Sequence, residues 1–419
     1  MADRFMIHGG HPIEGATRIR GAKNAILPVL AAALLTEGEV IIRDCPRLLD
    51  VSVMVDMLES IGCKVHWEED ALVIDPSGAD QYEMPEDMGR ELRSSIFMLG
   101  PIMGRFRQAV CSYPGGCEIG LRPIDLHLKG LSAMNAQIWE EHGKIYCRSE
   151  GLKGAEIHLD YPSVGATENI MMAAVRAKGK TVIHNAAKEP EVVDLQRFIN
   201  AMGGKVRGAG SSVIEVDGVS KLHGAVHTVI PDRIVAGTLM VGAAVTGGRL
   251  MVENVVPRHL LPVISKLREA GCRVDVESTR LAVEAPTKLL SVGRVDTMPY
   301  PGFPTDMQAQ FFAMATLSQG TSLIVENVFE NRFRHASELM RMGAKVILRD
   351  RMAIVSGVKE LSGTAVRCPD LRGGAALVLA GLCANGITIV ENIGHIDRGY
   401  ESLEQQLCAI GADIRRIPS

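Results

Sequence analysis

One thiol stands apart in this chain. Cys117 lies in Pro114-Gly115-Gly116-Cys117-Glu118-Ile119-Gly120-Leu121-Arg122-Pro123, a glycine-rich loop with an arginine five residues on. Loops carried on a rigid scaffold are where binding and catalytic groups concentrate. Nearby Arg and Lys side chains would lower the thiol pKa and make Cys117 reactive. A free cysteine is ordinarily a small buried hydrophobe. That reading suits Cys63, Cys272, Cys383 and Cys408, which fall in helical patterns or at strand starts.

A second set of polar residues recurs where strongly apolar helices begin. It reads Lys23-Asn24, Arg93-Ser94-Ser95, Thr167-Glu168-Asn169, Asp232-Arg233, Thr305-Asp306 and Asp370-Leu371-Arg372. A helix N-terminus presents free N–H groups and a partial positive charge, so it can hold anions. Asp and Thr also cap helices, which leaves capping and function both open for Asp232, Thr305 and Asp370. Lys and Arg are disfavoured there, so Lys23, Arg93, Arg233 and Arg372 point to a ligand.

The elements that must position these groups repeat. A helix end followed by a strand start reads Gly62-Cys63-Lys64-Val65, Asn135-Ala136-Gln137-Ile138, Gly203-Gly204-Lys205-Val206, Gly271-Cys272-Arg273-Val274, Gly343-Ala344-Lys345-Val346 and Gly411-Ala412-Asp413-Ile414, at separations of 68 to 73 residues. Gly or Asn at the first position suits a left-handed helix end. Amphipathic spacing precedes it, as in Val192, Leu195, Ile199 and Met202. A second helix, apolar on nearly every side and expected to end in glycine, recurs as Ala25–Gly38, Ile96–Gly104, Ile170–Gly179, Ile234–Gly247, Met307–Gly320 and Ala375–Gly386. A helix apolar all round is buried all round. Strands such as Arg249–Glu253, Ser322–Glu326 and Ile387–Glu391 are expected to follow it. The chain therefore reads as six α/β pseudo-repeats of about seventy residues. In five of them Asp or Asn follows that strand: Asp44, Asn185, Asn254, Asn327 and Asn392, 16 to 19 residues before the helix-ending marker. Counting 18 back from Asn135 in the second unit gives Cys117.

Bulk properties bound the function. The 419 residues carry 45 Lys plus Arg against 49 Asp plus Glu, a net charge of −4, which speaks against nucleic acid as partner. An anionic ligand must then be caught by a local cluster of cations. The nine cysteines form no C-x-x-C and no zinc spacing, so neither a disulfide framework nor a metal is expected. The first residues lack a secretory apolar region, and the longest apolar run, near Ala25–Leu35, is too short to span a bilayer. A cytoplasmic protein without membrane partners is the expectation.

The motifs together resemble the enolpyruvyl transferase family, in particular its members that act on UDP-N-acetylglucosamine. The resemblance is carried by Gly21-Ala22-Lys23-Asn24-Ala25, Pro114 to Cys117 with Arg122-Pro123-Ile124-Asp125-Leu126-His127, and Ser163-Val164-Gly165-Ala166-Thr167. It continues in Tyr300-Pro301-Gly302-Phe303-Pro304-Thr305-Asp306, Phe329-Glu330-Asn331-Arg332-Phe333, Asp370-Leu371-Arg372 and His395-Ile396-Asp397-Arg398-Gly399-Tyr400. It runs from one end of the chain to the other, with a departure at Asp160-Tyr161-Pro162. It implies a two-domain inside-out α/β barrel, three repeats per domain, helices inside and sheets outside. One domain would span 22–230 and the other 1–21 with 231–419, with the active site in the cleft between them. It also implies transfer of the enolpyruvyl group of phosphoenolpyruvate to the sugar 3-hydroxyl with release of phosphate, in peptidoglycan precursor synthesis. Cys117 is then the proton donor, able also to add to phosphoenolpyruvate, and Asp306 the base on the hydroxyl. Lys23, Arg122 and Arg398 would clamp the phosphoenolpyruvate anions. Asn24, Arg93, Arg122, Pro123, Ile124, Asp125, Leu126, Ser163, Val164, Gly165, Val328 and Arg372 would contact substrate, with Asp232, Glu330, Arg332 and Asp370 in supporting places. No metal or organic cofactor is implied, and a monomer or weak homo-oligomer is expected. The alternatives are a sister enzyme making 5-enolpyruvylshikimate 3-phosphate, which typically has Lys-Ser at Lys23-Asn24 and lacks the cysteine loop, and a non-catalytic UDP-sugar-binding paralogue.

Overall fold

The computed structural model describes residues 3–91, 93–113, 115 and 124–418. One unit shows how a repeat is built. Strand Glu156–His158 leads into the buried helix Val164–Ala174, which returns as strand Lys180–His184, parallel to the first. The amphipathic helix Pro190–Ala201 follows, and then the hairpin strands Lys205–Arg207 and Val213–Asp217, with Val213–Asp217 antiparallel to Lys180–His184. The described residues form six such sheets, five of four strands and one of three. The buried helices are apolar on every side because each is covered by neighbouring helices and by a sheet. Lys23–Ala33, with ten of eleven residues buried, and Arg233–Thr246, with ten of fourteen, show this.

All six helix-ending markers are left-handed, with φ of 105° at Gly62, 71° at Asn135, 92° at Gly203, 93° at Gly271, 100° at Gly343 and 99° at Gly411. The second glycine series is less uniform. Gly179, Gly247, Gly320 and Gly386 are left-handed. Gly104 instead lies inside helix Leu99–Phe106, which Arg107 ends at φ 63°, after a 3-10 turn over Arg93–Met98. The first buried helix stops at Ala33, well before Gly38. Gly38 serves a close approach, since a Cβ there would sit 2.3 Å from the Gly224 nitrogen. The third helix starts a turn earlier than its apolar run. Ser163 caps it, accepting from Ala166 N–H, so Thr167, Glu168 and Asn169 are interior residues.

The Asp and Asn series is structural. Asp44, Asn185, Asn254 and Asn392 are left-handed, with φ of 54° to 61°. Asn185, Asn254, Asn327 and Asn392 donate from Nδ2 to Leu159, Ile19, Thr297 and Cys368 carbonyls, each near the end of the neighbouring parallel strand. Asn327 lies one residue further on because its strand is Thr321–Val325, not Ser322–Glu326, which leaves Glu326 beyond the strand end. In the second unit the corresponding strand is Gln108–Ser112. The residue directly after it is Tyr113, 22 positions before Asn135, and Cys117 itself lies outside the described residues. Cys63 and Cys272 are buried as expected, whereas Cys383 is half-buried and Cys408 is exposed.

By internal packing the described chain divides into two compact units. One comprises 3–20 and 231–418, the other 21–113, 115 and 124–230. The division follows from strand exchange at the chain's start. Arg4–His8 lies antiparallel between Ile387–Glu391 and Asp413–Ile417, filling the place that a hairpin strand takes in other repeats. Glu14–Arg18 is the parallel neighbour of Arg249–Glu253. In the other unit, Ala225–Thr228 performs that service for Val40–Arg43. No helix among the described residues is long and apolar enough to cross a membrane.

Candidate functional site

In the unit built on 21–230, Lys23 is the first residue of its helix, and Ala22 before it offers no side-chain cap. An ammonium at this end opposes the helix dipole. Asp50 compensates: its carboxylate lies 2.7 Å from the Lys23 Nζ, and both residues are buried. Sequence reasoning passed over Asp50, because an acid in the first turn of helix Leu49–Ser60 reads as ordinary dipole complementation. Asn24 follows Lys23 in the same turn. Ser163, Val164 and Gly165 form the start of the third helix. Ile124 is buried just before helix Asp125–Ala133, whose first turn carries exposed Asp125 and half-buried Leu126. Cys117, Arg122, Pro123 and the Arg93 side chain lie outside the described residues.

Two interior polar residues of this unit behave differently. Asn169 is a strut: its Nδ2 donates to Ile96 O at 2.9 Å and lies 2.9 Å from His127 Nδ1, and its Oδ1 accepts from Gly100 N–H. Glu168 is fully buried and neither carboxyl oxygen has a hydrogen-bond partner. Burial, and then Glu191 and Glu189, push its pKa well above the ordinary carboxylate value, toward the protonated form.

The other unit holds the denser constellation. Asp306 sits in the 3-10 turn Thr305–Met307, ahead of helix Gln308–Ala315. Its Oδ1 accepts from Arg332 Nη2 at 2.7 Å and its Oδ2 from Arg372 Nη2 at 3.0 Å. Both arginine side chains are 3% exposed, whereas that of Asp306 is 24% exposed. The carboxylate is thus gripped by two buried guanidinium groups while remaining partly exposed itself. Burial works against the charge on Arg372, but Asp306, Tyr400 and Asp232 outweigh it and raise its pKa above the usual arginine value. Its guanidinium also lies over the Tyr400 ring, 5.4 Å from the centroid.

Two of the candidate residues cap helices. Asp232 accepts from Ile234 and Val235 N–H, and Asp370 from Arg372 and Gly373 N–H. Each cap fixes the start of a buried helix, and the Asp370 cap also holds the backbone that carries Arg372. The second Asp370 oxygen is buried without a hydrogen bond, near His335, whose two ring nitrogens also lack partners. Burial, with Arg332 adding to it against Asp370, lowers the His335 pKa to about 4 and keeps the ring neutral. Arg398 is half-buried at the end of the short helix Gly394–Asp397. Glu330 faces elsewhere, in an exposed ion pair with Arg351 at 2.7 Å. The buried acid of this segment is Glu326, a residue the sequence did not single out. It accepts from Val328 N–H at 2.8 Å and so orders the backbone at Val328.

Comparison with known proteins agrees with this fold and these motifs. A family model described as EPSP synthase (3-phosphoshikimate 1-carboxyvinyltransferase) matches residues 7–407. The chain belongs to the enolpyruvyl transferase family, and it is a carboxyvinyltransferase-type enzyme. Among its relatives is UDP-N-acetylglucosamine 1-carboxyvinyltransferase 2 of Caldanaerobacter subterraneus subsp. tengcongensis, 50% identical over 99% of both chains. Another is UDP-N-acetylglucosamine 1-carboxyvinyltransferase 2 of Bacillus subtilis, 45% identical over 99% of this chain and 96% of that one. Of solved structures, the enolpyruvyl transferase NikO from Streptomyces tendae superposes with a TM-score of 0.90 at 25% identity, covering 100% of both chains. EPSP synthase from Acinetobacter baumannii shares the fold at a TM-score of 0.75 and 18% identity, over 99% of this chain and 100% of that one.

Proposed function

We propose that this enzyme moves the enolpyruvyl group of phosphoenolpyruvate onto the 3-hydroxyl of UDP-N-acetylglucosamine and releases phosphate, in the cytoplasm, feeding peptidoglycan precursor synthesis. The observation that carries the reading is Asp306, oriented by two buried arginines and itself partly exposed. A carboxylate fixed in orientation and reachable from solvent can meet a substrate hydroxyl, and general-base catalysis needs that geometry first.

Phosphoenolpyruvate takes a proton at its methylene carbon, from Cys117, and its C2 becomes cationic. The sugar 3-hydroxyl adds to C2 as Asp306 accepts the hydroxyl proton, giving a tetrahedral intermediate that still bears phosphate. Loss of a proton from the new methyl group and of the C2–O bond to phosphate leaves the enol ether. Lys23, Arg122 and Arg398 neutralise the carboxylate and phosphate, which stabilises the anionic oxygens where charge accumulates. Lys23 is held for this task by Asp50. The starts of the helices at Asp125 and Val164, with Asn24, Arg93 and Val328, contact the nucleotide sugar, and Arg372 supports the site by holding Asp306.

The test is release of inorganic phosphate from phosphoenolpyruvate with each of two acceptors. Release with UDP-N-acetylglucosamine, and none with shikimate 3-phosphate, is the expected result. Release only with the shikimate ester would replace this reading by that of the sister enzyme. Retained UDP-sugar binding with no release from either acceptor would make the chain a sensor.

A further inference from the structure

The Glu326 carboxylate is fully buried and receives four hydrogen bonds from three separate stretches of chain. Its Oε1 accepts from Thr297 Oγ1 at 2.8 Å, Val328 N–H at 2.8 Å and Phe329 N–H at 3.1 Å. Its Oε2 accepts from Thr305 Oγ1 at 2.9 Å. The partners are hydroxyls and backbone amides, so the carboxylate is oriented by fixed dipoles whose directions allow little freedom. Thr305 immediately precedes Asp306. The Val328–Phe329 turn leads to Arg332, whose guanidinium lies over the Phe329 ring, 5.6 Å from the centroid, and binds Asp306. One oxygen of Glu326 therefore holds the turn leading to Arg332, and the other holds the segment that carries Asp306. Thr297 ties the same acid to the neighbouring strand and also accepts from Asn327 N–H at 2.9 Å.

We propose that Glu326 is a positioning residue for the transfer reaction: through Thr305 it sets the Asp306 carboxylate against its arginines, and through the Val328 and Phe329 amides it sets the turn that meets the sugar substrate. It does not touch the reacting atoms. This rests on the assignment of Asp306 as the base. A displaced base loses rate steeply, because a misplacement of about 1 Å costs on the order of 100-fold.

Thr305→Val keeps the branched shape of the side chain and removes only the hydroxyl that joins Glu326 to the Asp306 segment. We expect kcat per folded molecule to fall about 10- to 100-fold, with KM for both substrates within about threefold of the parent and the hydroxyl-retaining Thr305→Ser restoring most of the rate. Glu326→Ala should in addition raise KM for UDP-N-acetylglucosamine, because the Val328 turn is released. Thr305→Val that folds and turns over at the parental kcat overturns the proposal. So does a loss that disappears once activity is referred to folded protein, since that is a stability effect alone. Asp306→Asn is run in parallel. If it retains full turnover, the reading of Asp306 itself fails; if it is inactive while Thr305→Val is unimpaired, only the coupling through Glu326 fails.

Discussion

At the scale of single residues, burial makes five of the described thiols inert. Desolvation pushes the Cys63 and Cys272 thiols up to about 11 and those of Cys111, Cys147 and Cys383 up to about 12. Such thiols are almost wholly protonated at neutral pH and poor nucleophiles. An epoxide analogue of phosphoenolpyruvate should therefore alkylate Cys117 ahead of these five, and exposed Cys408 is the control for mere accessibility. Peptide mass spectrometry after partial reaction checks this; modification of Cys408 before Cys117 would contradict it. Glu168 makes a second, pH-dependent case. Its folded pKa is raised, so the native state binds this proton more tightly than the unfolded chain does. Its burden on stability is absent below the unfolded carboxylate pKa and grows as pH rises above it. Glu168→Gln should match the parent in melting temperature near pH 4 and exceed it at pH 8. A gap that shrinks with rising pH would show that the buried acid is held ionised.

At the scale of elements, the buried helices approach one another so closely that side-chain size is decisive. A Cβ added at Gly100 would lie 2.3 Å from the Asn169 carbonyl oxygen, a backbone atom that cannot swing aside. Helices Leu99–Phe106 and Val164–Ala174 thus meet through backbone at this point, and Asn169 binds Gly100 N–H across it. Gly100→Ala should cost about 1–3 kcal/mol, the usual penalty of overpacking, visible as a lower denaturant midpoint. An unchanged midpoint would mean that the two helices can separate without loss. The charged helix starts are built on the same principle. Where Asp232, Asp370 or Ser163 caps a helix, the cap fixes the first turn, and the neighbouring site candidates Arg372, Val164 and Gly165 inherit that rigidity.

At the scale of the whole molecule, the first eighteen residues complete sheets whose other strands come from far along the chain. Phe5, Ile7 and Ile13 are fully buried among residues of the 231–418 unit. Each such side chain contributes about 1.5–3 kcal/mol by burial, so together they rival the typical stability of a domain, roughly 5–15 kcal/mol. Removing residues 1–18 should destabilise the unit built on 231–418 and leave the one built on 21–230 protected. Hydrogen exchange resolved by peptide distinguishes the two, and equal loss of protection in both would argue that they fold as one.

The sequence by itself determined the six-fold repetition, the left-handed helix ends and the apolar helices, because each is a local pattern of glycine, charge and period. It also marked Asp306, Lys23 and Arg372 by their place at helix starts. Other local patterns said less. The Asp and Asn after each strand read only as a marker of the repeat, yet Asn185, Asn254 and Asn392 bond a neighbouring strand's carbonyl. Only the tertiary structure decided who pairs with whom. Asp306 meets Arg332 across 26 residues and Arg372 across 66, Lys23 is held by Asp50, and Glu326 gathers three segments. Periodicity is fixed by neighbours along the chain, whereas a buried charge must find its partner wherever folding brings one, and no local spacing records that choice.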